Sequence, residues 1–199
     1  MPTAASSVNR RIAKRVRDLR TERRLSLEEL ATRSGVSRSM ISLVERGESS
    51  PTAVVLEKLA TGLGVMLATL FDAQEAASGG PSERVSRRKD QSEWQDPASG
   101  YVRRNVSPAA APLLHVVDVR FPAGGRVAFE TGARQARTHQ QVWVLEGAID
   151  VTVGHERHRL REGDCLAMEL DRPTMFHNPT RKTTRYAVVF AADDTRSRR

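Results

Sequence analysis

The sequence predicts an α+β chain of two domains, an all-α N-terminal domain of five helices (residues 9–72) and an all-β C-terminal domain (residues 101–192). Two observations predict it. Apolar residues recur at helical spacing from Asn9 to Phe71, then give way from Tyr101 to short β-rich runs parted by turns. Between them, residues 73–100 are rich in Gly, Ser, Pro and charge, a composition that cannot bury a core and reads as a linker. Residues 193–199 read as a disordered basic tail. A length of 199 residues has room for both units, and 39% hydrophobic with 28% charged residues suits a globular fold.

The composition also excludes. No apolar run approaches the ~20 residues that span a bilayer; the longest, Tyr186 to Ala192, is strand-sized. The first seven residues carry no basic region followed by an apolar core, so no secretory leader is expected. Cys165 is the single cysteine, which rules out an intrachain disulfide and a thiolate metal cluster. A cytoplasmic protein with no membrane partner is expected. The net charge of +8 is uneven. Arg10, Arg11, Lys14, Arg15, Arg17, Arg20, Arg23 and Arg24 face only Asp18 and Glu22 within seventeen residues. Such a cluster attracts phosphates, or forms a solvated helix face.

Each helix has its own signals. Ile12, Val16 and Leu19 make one stripe of the first. Ser26 followed by Glu29 is a capping box opening the second, which carries Leu27, Leu30 and Ala31 and stops at Gly35. Ser37 caps the third, with Met40, Ile41 and Val44 inward, running to about Arg46. Thr52 caps the fourth, amphipathic through Leu56, Leu59, Ala60 and Leu63 and closed by Gly62 and Gly64. Met66 to Phe71 reads as a short fifth.

Two short helices joined at Gly35-Val36 describe a helix-turn-helix. Leu25 to Phe71 resembles the Xre/Cro type, the lambda-repressor-like DNA-binding domain, through Leu30-Ala31, Gly35-Val36-Ser37, Ile41-Ser42, Glu45-x-Gly47 and a Pro-led fourth helix. Leu27 stands where many members have Gln, which puts one phosphate contact in doubt. The resemblance implies that the third helix enters the major groove of double-stranded DNA. Carried over, Ser37, Arg38, Ser39, Ser42 and Leu43 face the DNA, and Ser49 joins Ser37 as a phosphate contact. Arg38 is the candidate for reading guanine through two hydrogen bonds; a phosphate clamp is its rival. Glu45 and Arg46 read as structural, Arg46 as partner of a nearby acid.

In the C-terminal half, Leu114–Phe121 reads as a strand, Gln141–Leu145 and Ile149–Val153 as a hairpin across Glu146-Gly147, and Arg161–Asp164 as a tight turn into Cys165–Met168. Arg185–Phe190 closes the set. Val142 to Thr180 resembles the cupin family, a double-stranded β-helix or jelly roll, through Val144-Leu145-x-Gly147, Gly163-Asp164, Pro173 and Asn178-Pro179. An Xre-type domain followed by a cupin resembles a known regulator architecture.

Metal-binding cupins bring three His and a Glu inward. On the spacing from Gly147 the Glu position is Gln140, the paired His positions fall among residues 133–136, and the third His position is Thr174; none is a ligand type. His139 and His177 are near but on the opposite strand parity, unless a loop distortion turns them. No metal and no cofactor are therefore expected. The barrel retains room for a small molecule, with Thr138, Gln140, Val142, Val144, Thr174 and Met175 as its lining and Arg134, Arg137 and Arg172 near enough to meet an anion or lie in solvent. Trp143 and Cys165 read as core residues, and Trp94 as packed on a domain surface.

The resemblances together imply a sequence-specific transcriptional regulator, a repressor and not an enzyme, acting as a homodimer under control of a small-molecule effector. A cupin isomerase, epimerase or dioxygenase carrying a helix-turn-helix is one alternative. A DNA-binding protein without a ligand is another.

Overall fold

The computed structural model describes residues 4–71, 84–108, 114–130 and 138–192, without the side chains at 4–6, 138 and 192. The basic tail, residue 72 and residues 73–83 of the expected linker lie outside the described residues, as do Arg134 and Arg137. No helix among the described residues is long and apolar enough to cross a membrane.

The N-terminal domain holds α1 (Ala4–Glu22), α2 (Leu27–Ser34), α3 (Arg38–Glu45) and α4 (Ala53–Leu63). In place of a fifth α-helix the chain forms a 3-10 helix, Leu67–Phe71. Five residues make little more than one turn, and the tighter winding closes it with bonds such as Thr69 N–H to Met66 O. α1 begins five residues before the expected Asn9, since nothing from Ala4 onward breaks a helix. The capping box is complete: Ser26 N–H donates to Glu29 Oε2 at 2.7 Å and Glu29 N–H to Ser26 Oγ at 3.1 Å. Gly62 does not end the fourth helix. It lies within α4, where a Cβ would stand 2.8 Å from that of Ser34, so its lack of a side chain sets how closely α2 and α4 approach.

The C-terminal domain is two antiparallel sheets packed face to face. One contains β1 (Glu93–Gln95), β2 (Val102–Asn105), β3 (Leu114–Phe121), β10 (Thr184–Ala192), β5 (Thr138–Glu146) and β8 (Cys165–Glu169), in that spatial order. The other contains β4 (Arg126–Phe129), β9 (Thr174–His177), β6 (Ala148–Val153) and β7 (Glu156–Arg161). The expected hairpin between Gln141 and Val153 is not one: β5 and β6 belong to different sheets. Gly147, at φ +84°, turns the chain from one sheet into the other, a conformation that side chains resist. The return corner at Gly163 is bonded to it, with Glu162 N–H donating to Gly147 O and Gly163 N–H to Val144 O, both at 3.0 Å. These crossings make the sandwich a jelly roll.

The expected linker is ordered structure in its second half. β1 pairs with β2 through Trp94 and Arg103, and Trp94 is buried. A single large aromatic side chain supplies the apolar area that the surrounding composition lacks. Trp94 meets Phe71 of the helical domain edge-on at 5.5 Å and Tyr101 at 6.0 Å, and the Arg103 guanidinium lies 4.1 Å above the Phe71 ring. Ala53 N–H, at the start of α4, donates to Asp96 Oδ1 at 2.9 Å, and Lys58 pairs with Glu130 at 3.0 Å. One continuous apolar core thus runs from Val8 to Val188 across both domains.

Candidate DNA-reading helix and barrel cavity

Ser37 begins α3 as its N-cap, accepting from Met40 N–H at 3.3 Å, and its hydroxyl lies 3.2 Å from that of Ser39. Ile41 and Val44 bury one face against the helical core. The opposite face presents Arg38 and Ser39, both exposed, with Ser42 and Leu43 half-buried beside them. Arg38 makes no hydrogen bond or ion pair among the described residues, so its guanidinium extends outward. Ser42 is engaged: its hydroxyl accepts from Arg46, whose other nitrogen donates to Glu48 at 2.8 Å. Ser49 donates weakly to the Met40 sulfur at 3.9 Å and is half-buried.

α3 is anchored from behind. Glu45 receives two bonds from Arg20 of α1, at 2.7 and 2.8 Å, with both side chains largely buried. The hydrogen bond that Arg20 donates to Glu45 raises the Arg20 pKa further, against the cost of burial. Glu45 is therefore a structural residue, and Arg46 is paired with the acid Glu48 on the surface. The basic cluster of α1 is divided in the same way. Arg20 serves Glu45, Arg15 donates to Thr69 O at 3.4 Å and Lys14 pairs with Asp18 at 2.6 Å, while Arg10, Arg11 and Arg17 are exposed.

Between the two sheets lies a cavity with about 740 Å³ of empty space, its mouth included. Gln140 and Thr174 both line it. Val142 and Val144 do not, although they share the parity of Gln140. They lie further along β5 in the closed part of the core, fully buried. Met175 lies on β9 between Thr174 and Phe176 and so points to the other face. The Thr138 side chain lies outside the described residues. Most of the wall is aromatic or aliphatic, with Phe121, Phe129, Phe176 and Phe190 prominent. The reading from sequence missed Arg103 and Tyr101, on the inner face of the sheet, and Glu57, Met66 and Leu67, which come from the helical domain. An apolar strand pattern marked Val117 and Val119, but nothing local marks a charged residue such as Arg103 as inward-facing.

Burial pushes the Tyr101 phenol up to about 12, with Arg103 opposing and Asp96 adding to the effect. Burial also raises Tyr186 well above its ordinary value. Both phenols stay protonated at neutral pH and available as donors. No three His, Cys, Asp or Glu side chains among the described residues converge as metal ligands. His139 is exposed on the outer face, and His177 Nδ1 lies 3.8 Å from Asp150 on the outer side of β9. Two expectations are overturned here. Trp143 is 50% exposed and Cys165, its register partner, is exposed too, because both lie on the parity opposite Gln140 and Met168. Arg172 is on the surface with Asp171 at 2.8 Å.

Residues 16–70 match the helix-turn-helix family HTH_3. Over 171 residues the chain is 27% identical to the HTH-type transcriptional regulator SutR of Escherichia coli, covering 86% of this chain and 89% of that one. It is 41% identical over 61 residues to the cryptic phage CTXphi transcriptional repressor RstR of Vibrio cholerae, covering 31% of this chain and 55% of the relative. A crystal structure of an HTH_3 family transcriptional regulator from Vibrio cholerae superposes with a TM-score of 0.74 at 25% identity, covering 94% of this chain and 98% of that one.

Proposed function

Since the chain joins an HTH_3 helix-turn-helix domain of the Xre/Cro type to a cupin barrel and is a DNA-binding transcriptional regulator, we propose that it is a cytoplasmic repressor whose barrel cavity takes a small-molecule effector. The observation that carries this reading is the shared wall of the cavity: Glu57, Met66 and Leu67 of the DNA-binding domain stand beside barrel residues, so a ligand there touches both units. An effector switches such a protein only through different affinities for two arrangements, and a seam is where arrangements differ. Repression is favoured because one matched relative is a repressor and because occlusion of a promoter needs binding alone. A homodimer is favoured because one α3 reads only a half-site, and two copies on two-fold-symmetric DNA meet half-sites about 34 Å apart. In this reading Arg38 contacts base edges, Ser39, Ser42 and Leu43 lie along the groove, and Ser37 and Ser49 meet phosphates. Gln140 and Thr174 contact the effector. The binding role, rather than catalysis, fits a lining with no His, Cys or Asp.

Selection of bound sequences from a random duplex pool at fixed salt tests it. An enriched two-fold-symmetric site is expected, with affinity altered by the small-molecule fraction of a cell extract. Binding without any sequence preference would overturn the reading.

A further inference from the structure

Resting on the reading of the cavity as an effector site, we propose that its ligand is a small hydrophobic carboxylic acid, bound as the anion, whose carboxylate meets Arg103 in a cavity that Glu57 also lines. Three features of the wall specify that chemistry. The barrel's share of the lining contains one charged residue, Arg103, and no Asp or Glu; Arg103 is only 4% exposed. A guanidinium stays protonated at any depth and presents a fork that matches a carboxylate.

The second feature is an excess of donors. The Gln140 side chain, 5% exposed, and the phenols of Tyr101 and Tyr186 line the cavity. Polar groups on a cavity wall are positioned to bond an occupant. An amide N–H and phenol O–H groups donate to carboxylate oxygens. The third feature is the remaining surface. Phe121, Phe129, Phe176 and Phe190 offer rings to an apolar body.

Glu57 makes the site a switch. It is the one carboxylate among the lining residues, and it comes from α4 of the DNA-binding domain. Its neighbours tie the same helix to the barrel, Ala53 through Asp96 and Lys58 through Glu130. α4 packs on α2, the first helix of the helix-turn-helix. A carboxylate bound at Arg103 shares the cavity with that of Glu57, and like charges in a dry cavity repel. α4 is then driven off its seat, and the reading head moves with it.

Calorimetric titration of the full-length protein with phenylacetate, hexanoate, phenylacetamide and phenethylamine tests the proposal. Both acids are expected to bind at least ~10-fold more tightly than the amide, and the amine not at all. Glu57→Gln removes the like charge from the cavity, so the acids bind ~10-fold more tightly. Arg103→Gln abolishes acid binding. Because that variant removes a buried charge, Gln140→Leu serves as a second probe and weakens the acids several-fold with the fold retained. Amide or amine binding equal to that of the acids, weaker acid binding in Glu57→Gln, or no binding of either acid would each overturn the carboxylate assignment. DNA affinity with and without cell-extract small molecules separates the two failures. A change in affinity without acid binding leaves the effector reading standing, and no change under either condition ends both.

Discussion

The buried carboxylate of Asp96, in the turn between β1 and β2, accepts the backbone N–H of Ala53 at the first position of α4. A barrel residue therefore caps a helix of the DNA-binding domain. The same carboxylate accepts from Ser99 N–H at 2.9 Å and from the Ser99 hydroxyl at 2.5 Å, and Asp96 is only 2% exposed. Helix-first amides have no partner within their own helix, so Asp96 supplies what α4 lacks and ties the domains in doing so.

Asp96→Ala strands the Ala53 amide in a buried position. The expected cost is about 1–3 kcal/mol. Urea unfolding should show the lower midpoint. An unchanged midpoint would mean the cap does not hold α4 to the barrel.

Arg20 and Glu45 hold α3 against α1 from positions largely hidden from water. Removing one partner leaves the other charge buried, so Arg20→Ala should cost roughly 3 kcal/mol. Arg20→Met with Glu45→Leu should recover much of that loss. Thermal unfolding of the three variants checks both statements.

Arg38→Ala should remove about 1–3 kcal/mol of discrimination at one base pair of each half-site while changing affinity for random DNA much less. Competition binding at several salt concentrations reads this. An equal loss on every sequence, with a shallower salt dependence, would assign Arg38 to phosphate.

Asp118 sets the acid limit of the barrel. Burial raises its pKa, but hydrogen bonds from Arg185 and Arg104 outweigh it and hold the carboxyl below its ordinary 3.8. The native state binds this proton less readily than the unfolded chain. Its stabilisation is therefore present above the ordinary carboxylate pKa and fades as pH falls through the lowered native value. Stability measured from pH 6 down to pH 2 should fall less steeply below about pH 4 in Asp118→Asn, from a lower starting value.

The helical domain was legible in sequence because its signals are local. Ser26 and Glu29 are three residues apart, and Gly35 and Gly64 each follow the helix they end. The barrel was legible where one strand carries its own pattern, as Leu114–Phe121 does. Its corners were not. Gly147 looks like a hairpin turn until β5 is seen to pair with β10 and β8 instead of β6. Gln140 and Thr174 were found by counting along family motifs, whereas Glu57 enters the cavity through the docking of another domain, which no spacing within either half encodes. Trp94 hides in a polar stretch because its partners, Phe71 and Tyr101, lie on either side of it in different elements.

The two tryptophans occupy opposite environments. Trp94 sits between the domains at 5% exposure, and Trp143 stands half in solvent on the outer face of its sheet. Their indole emission is accordingly separable, with a shorter-wavelength component shielded from iodide and a longer-wavelength one open to it. Parting of the domains wets Trp94 alone. The unlabelled protein thus reports its own opening as a red shift and a gain in quenchable fluorescence, with Trp143 as the internal standard.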